Sequence, residues 1–283
     1  MAATQAPTLG GQQPRYILGH DPDELDRLIY QARFFGDLTE EVLRRAGIAP
    51  GMRVLDVGCG TGDVSFLAAR LVGPTGAVIG VDRSAEAVAV AERRARGAGL
   101  GNVTFAVQDL SELTLTAPVD ALVGRLVLMY LDDPAATLRR LLDGVRPGGV
   151  VAFQEMDMAA VTWEPDCPLL AVAADRIVQT FVRAGLDHRT GLKLARIYRD
   201  AGLPAPQTLQ GARVESGPDS TVYEWVAQTA RTLLPLMERT GVATAAEVEV
   251  DTLAARLREE VVTADATVVP PPLIGAWART EPR

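Results

Sequence analysis

Between residues 53 and 155, short and almost wholly apolar segments alternate with longer segments that are apolar on one side only, and few folds accommodate that order. The apolar segments fall at 53–57, 77–81, 103–107, 119–124 and 149–155, with helix-type periodicity at 62–72, 84–96 and 134–145. Stretches such as "GAVIGV" and "DALVG" have no polar face, so both sides of each strand need cover. Helices placed between them supply it, and the pattern predicts a parallel sheet in a doubly wound α/β fold. Ligands of such sheets bind outside the carboxyl ends of the strands, beside the first strand.

The flanks read differently. Residues 1–15 are polar and rich in Gly, Gln and Pro, which predicts a tail. In "HDPDELDRLIYQARFFG" Asp21 can cap a helix, Pro22 suits its first position and Glu24 has capping-box spacing. Leu25, Leu28, Ile29, Ala32 and Phe35 then share one face. A second helix is expected near 38–46, ending at Gly47. Beyond 156 the spacing predicts helices at 168–185, 190–201, 219–240 and 245–262, a strand at 207–215, and a last strand from "TVVPPPLIGAWA" with a proline-marked start. The expected organisation is a tail and helical lid over 1–45, then one domain over 46–283 whose insertions after 156 cap the sheet.

Composition sets limits. The 283 residues carry a net charge of −8, opposite to the basic footprint of a nucleic-acid binder. Two cysteines, Cys59 and Cys167, supply neither a disulfide framework nor a four-ligand metal site, so no metal is expected. No signal-peptide pattern and no run of about 18 apolar residues is present, and a cytoplasmic protein away from membranes is expected, as monomer or homodimer.

"VLDVGCGTGD", residues 54–63, places Gly58, Gly60 and Gly62 after the first strand with Asp56 ahead of them. A dinucleotide site would show Gly-x-Gly-x-x-Gly, and Asp56 would repel a pyrophosphate, whereas an ammonium group suits it. Asp82, at the end of the second strand, can accept both hydroxyls of a ribose. In "QDL", Asp109 can accept from an adenine amino group while the Leu110 amide donates to the ring. Together these features describe an adenosine joined to an amino acid.

"VLDVGCGTG", "GVDRS", "VQDL" and "VRPGGVVAFQE" stand in the order and spacing of the class I S-adenosylmethionine-dependent methyltransferases, and the stretch from 46 to 155 resembles that family. The resemblance implies a Rossmann-like, seven-stranded, mostly parallel sheet with S-adenosyl-L-methionine as cofactor. It places Asp56, Gly58 and Gly60 around the methionine moiety, with Cys59 as a compact loop residue between them. Asp82 falls to the ribose, and Arg83, Gln108, Asp109 and Leu110 to the adenine. Arg125, in "VGRLVLMYL", lies near the methionine end, with a salt bridge to the cap as the other use of its side chain. "YILGHDPDELDRLIYQARFF" is similar to the N-terminal helix pair of some small-molecule members, whose tyrosine and glutamine close over the methionine carboxylate. Tyr16 and Gln31 are the candidates here, with Arg27 and Arg33 in reserve.

Methyl transfer asks an enzyme to align a nucleophile, exclude water and, where needed, take a proton. Met156, Met158, Trp163, Phe181, Tyr223 and Trp225 are candidate linings of an apolar acceptor pocket in the cap. Neither Asn-Pro-Pro-Tyr nor Asp-Pro-Pro-Tyr follows the fourth strand and no Pro-Cys nucleophile is present. With the acidic surface and the helical cap, these absences lead to a small, largely apolar organic acceptor methylated at O, N or C, and the arginine- and alanine-rich, GC-type composition leads by association to a secondary metabolite. A cyclase of the same fold, using the cofactor without transferring methyl, is the alternative. In "FQEMDM", Glu155 and Asp157 fall on one face of a strand end. Glu155 is the candidate proton acceptor, with Asp157 beside it and His20 as rival base, against the plainer roles of capping a turn or pairing with a cap arginine.

Overall fold

The computed structural model describes residues 22–281. Tyr16, His20 and Asp21 lie outside the described residues, as do the side chains of Glu24, Leu25 and Arg33. The described chain opens with one continuous helix, α1 (Pro22–Ala46), where the sequence predicts two. Gly36 sits mid-helix at about 1 kcal/mol of lost propensity. The packing of Phe34, Phe35, Val42 and Leu43 into the core outweighs that cost, since packing of an apolar face is the main source of helix stability.

The alternating region then gives β1 (Arg53–Val57), α2 (Asp63–Val72), β2 (Ala77–Asp82), α3 (Ala85–Gly97), β3 (Val103–Val107), β4 (Val119–Arg125), α4 (Pro134–Leu141) and β5 (Val145–Met156). Two helix starts follow capping chemistry: Ser84 accepts from the Ala87 amide and Asp133 from the Ala136 amide. Beyond β5 come β6 (Thr162–Glu164), α5 (Pro168–Arg183), α6 (Leu194–Asp200), β7 (Gln207–Gly211), β8 (Glu215–Ser216), α7 (Val222–Thr240), α8 (Ala245–Val248), α9 (Val250–Thr263), β9 (Thr267–Val269) and β10 (Leu273–Arg279).

The described strands form a seven-stranded sheet in the order β3-β2-β1-β4-β5-β10-β7. It is parallel from β3 through β5, and β10 is antiparallel to both β5 and β7. Two predicted strands divide. The 207–215 segment becomes β7 in the large sheet and β8 in a small one, and the last segment breaks at Pro270–Pro272 into β9 and β10. The small sheet, β6-β9-β8, belongs to the cap, and sequence alone did not suggest it.

Strand order reverses between β1 and β4, so their carboxyl ends open the crevice of a doubly wound sheet. One face of the sheet is covered by α2 and the end of α1, the other by α4 and α6. A third apolar cluster joins α5, α7 and α9 with Phe34 and Phe35 of α1 and with Met129 and Met156 from the strand ends. The cap is thereby packed directly over the crevice.

Candidate functional site

The loop after β1 comes close to its neighbours, and this is what its glycines permit. Gly58 has φ +63°, and a Cβ there would lie 2.5 Å from Val127 Cγ2. At Gly62, φ +90°, a Cβ would meet the Phe66 ring at 2.8 Å. Both positions exclude a side chain twice over, by dihedral angle and by contact. Opposite the loop, Leu126 holds φ +57°, the strained left-handed region for a non-glycine residue, just where β4 turns away.

These segments line one cavity of about 240 Å³. At one end stand Gly58, Cys59 and Gly60 with Asp82, Arg83, Gln108, Asp109 and Leu110, and near them Arg27, Gln31 and Arg125. Asp82 is drawn into the loop itself: Oδ2 accepts from the Gly60 amide and Oδ1 from the Ser84 amide, both at 2.9 Å. Asp109 Oδ1 accepts from the Ser111 amide and hydroxyl, and those bonds hold its carboxyl below the usual range. Arg27 donates to Gln31 Oε1 at 2.6 Å, one turn along α1. Arg125 donates to the Thr39 hydroxyl at 3.0 Å, and burial pulls its guanidinium pKa down.

Asp56 lies behind the loop. Its side chain is 1% exposed, Ser65 donates to Oδ2 at 2.6 Å, and Oδ1 is buried with no hydrogen-bond partner among the described residues. Desolvation raises its pKa to about 7 against the opposing pull of Ser65 and Arg125. It does not line the cavity. The orphaned oxygen, the acid pair Asp82 and Asp109, and a loop free of Cβ atoms are together a donor and acceptor set that fits an adenosine bearing a cationic amino acid.

The two acids at the end of β5 do not meet the cavity. Strand alternation is obeyed, but Met156 is on the cavity side and Glu155 on the other. Glu155 is 0% exposed, and its Oε1 accepts from the amides of Val127 and Leu128 at 2.9 and 2.7 Å. Desolvation raises its pKa to about 8. Asp157, one residue past the strand, caps a short turn by accepting from the Ala159 amide and pairs with Arg189 at 3.0 Å. The capping and arginine-pairing roles are the observed ones.

The other end of the cavity is the cap. Met129 and Met156 form its floor beside Met158, with Ile177 and Phe181 of α5, and Val222, Trp225, Val226 and Thr229 of α7 around it. Trp163 and Tyr223 are packed elsewhere in the cap cluster, Tyr223 donating to the Gly217 carbonyl. Sequence reasoning missed Arg27 as a first-rank lining residue. It also missed Asp63, Leu126 and Thr229; only Asp63, adjoining the glycine motif, left a signal. Among the described residues no group of three or more His, Cys, Asp or Glu is placed to hold a metal, and no helix is long and apolar enough to cross a membrane.

A doubly wound sheet with a glycine loop at its switch point and acids at the ends of β2 and β3 defines a class of nucleoside-cofactor enzymes. Within it, a model of the methyltransferase domain family matches residues 48–201, and the chain belongs to that family, among the class I S-adenosylmethionine-dependent methyltransferases. It is 35% identical over 148 residues to trans-aconitate 2-methyltransferase of Methylobacterium nodulans, covering 48% of this chain and 55% of that one. To aklanonic acid methyltransferase DauC of a Streptomyces species it is 32% identical over 121 residues, 42% of this chain and 55% of that one. The chain spans about half the length of the curated relatives it matches. The 4+2 cyclase SpnF shares the fold, with a TM-score of 0.52 at 22% identity over 87% of this chain and 81% of that one.

Proposed function

We propose that the protein transfers a methyl group from S-adenosylmethionine to a small, largely apolar organic acceptor, a secondary metabolite, in the cytoplasm. The observation that carries this reading is one continuous cavity with a charged, glycine-walled end and an apolar end. Bound at the first, the cofactor supplies an electrophilic methyl carbon. Asp82 then accepts from the ribose hydroxyls, Asp109 and the Leu110 amide address the adenine, and the Gly58–Gly60 backbone closes on the methionine moiety. Arg27, Gln31 and Arg125 suit the carboxylate, and Asp56, which a nearby ammonium group would favour in its ionised form, would balance that charge from behind the loop. The cap excludes water and aligns the acceptor, so that placement is the chief contribution of the chain.

Calorimetry with S-adenosylhomocysteine tests the cofactor half. Asp82→Asn and Asp82→Ala are expected to weaken binding by about 1.5–3 kcal/mol, the scale of hydrogen bonds to a charged group, and unchanged affinity in both would remove Asp82 from the site. Incubation with S-adenosylmethionine and hydroxylated polycyclic acceptors tests the reaction, by formation of S-adenosylhomocysteine. Conversion of an acceptor with the cofactor left intact would instead favour the cyclase alternative.

A further inference from the structure

On α7, Val222, Trp225, Val226 and Thr229 follow the three, four and seven spacing of a single helix face, and all four line the cavity. Three of them are apolar or aromatic, and the fourth carries a hydroxyl. Thr229 is 7% exposed, and its Oγ1 donates to the Trp225 carbonyl one turn earlier at 2.7 Å. A hydroxyl has one hydrogen to give and two lone pairs. With the hydrogen committed along the helix, what remains for a ligand is acceptor capacity alone. The indole nitrogen of Trp225, on the same helix face, is a buried donor with no hydrogen-bond partner among the described residues, and Ile177 and Phe181 of α5 add nothing polar to the lining. A valine would fill the same volume with more apolar area, whereas the threonine keeps unused lone-pair capacity on a helix face that lines the cavity.

We propose that Thr229 is a specificity residue that selects acceptors presenting a hydrogen-bond donor, a hydroxyl or an N–H, on an otherwise apolar body. This rests on the reading of the cap chamber as the acceptor site. Its selectivity is one-sided. An acceptor with O–H or N–H at that point satisfies the Thr229 lone pair, while an isostere with a C–F bond or an ether oxygen sets acceptor against acceptor, and a site built around a polar contact rejects the analogue lacking it.

The experiment uses the full chain saturated with S-adenosylhomocysteine, titrated calorimetrically with 2-naphthol and with 2-fluoronaphthalene, which match in shape and differ in the donor. The wild-type protein is expected to bind 2-naphthol about tenfold more tightly. Thr229→Val, which keeps the volume, is expected to bring the two affinities within about twofold by weakening 2-naphthol alone, and Thr229→Ser to retain the preference. Equal wild-type affinities, or a preference that survives in Thr229→Val, would overturn the assignment and leave the apolar-acceptor reading standing. Binding of neither probe to a protein that still binds S-adenosylhomocysteine would overturn that reading and this inference with it.

Discussion

At Glu155 a carboxyl group with no exposure holds the Val127 and Leu128 amides in the turn after β4, and Val127, held in this way, is the residue that forbids a side chain at Gly58. The carboxyl therefore fixes how closely the turn after β4 approaches the glycine loop after β1. Glu155→Ala would strand two buried N–H groups at about 1–3 kcal/mol each, so its unfolding free energy is expected to fall by at least about 2 kcal/mol in denaturant titration. Glu155→Gln keeps an acceptor oxygen and is expected to retain turnover within a few-fold; a tenfold fall in kcat at unchanged stability would restore the proton-acceptor role. Both Asp56 and Glu155 are raised by burial, to about 7 and about 8. Between about pH 4 and these values the native chain holds protons that the unfolded chain has released, so stability falls as pH rises through that window. Thermal midpoints measured from pH 5 to 8.5 are expected to decline in the wild type and to decline less in Asp56→Asn and Glu155→Gln. A midpoint that climbs over this range would contradict the burial of both acids.

Among the elements, α1 reaches furthest. Its amino half places Arg27, Leu28 and Gln31 on the cavity, and Phe34 stacks on Trp225 of the cap at 5.4 Å. Its carboxyl half lies against α2, β5 and β10, with Glu40–Arg44 and Glu41–Arg45 pairs on the solvent side. One end touches the proposed cofactor and the other is anchored in the sheet, so amide exchange in residues 27–33 is expected to slow when S-adenosylhomocysteine is added, while residues 40–46 stay unchanged. Uniform exchange with and without ligand would make the helix a fixed cap. Elements buried on both sides were legible in the sequence: β1, β2 and β4 have no polar face, and the glycine loop and Asp82 follow at fixed offsets. The continuity of α1 was not, because its stability comes from Trp225 and the sheet, nearly 200 residues away or in another layer. The apolar end of the cavity was legible only in part, since Met156, Phe181 and Trp225 read more readily as core than as lining. Glu155 was placed on the wrong side because alternation fixes which residues share a face and not which face meets the ligand.

Across the whole molecule, the cap and the sheet have one core between them. The cap cluster takes in Phe34 and Phe35 from the first helix, Met129 from the turn after β4, and Met156 and Leu273 from two adjoining strands of the large sheet, so losing the cap would expose strand ends beside the glycine loop. Shared burial of this kind couples unfolding, and one cooperative transition is expected by circular dichroism and by tryptophan emission, with Trp163 and Trp225 reporting on the cap and Trp277 on the sheet. The cavity spans both parts, so a ligand there should stabilise them together. At a hundredfold excess over its dissociation constant S-adenosylhomocysteine contributes about 2.7 kcal/mol, which for a chain of this size raises the midpoint by roughly 5–10 °C. The prediction is that both probes shift by the same amount. A cap transition that separates from that of the sheet, or a shift confined to the Trp277 region, would mean that the acceptor chamber is an independent unit laid over a self-sufficient cofactor domain, and that closure of the cap is a step separate from cofactor binding.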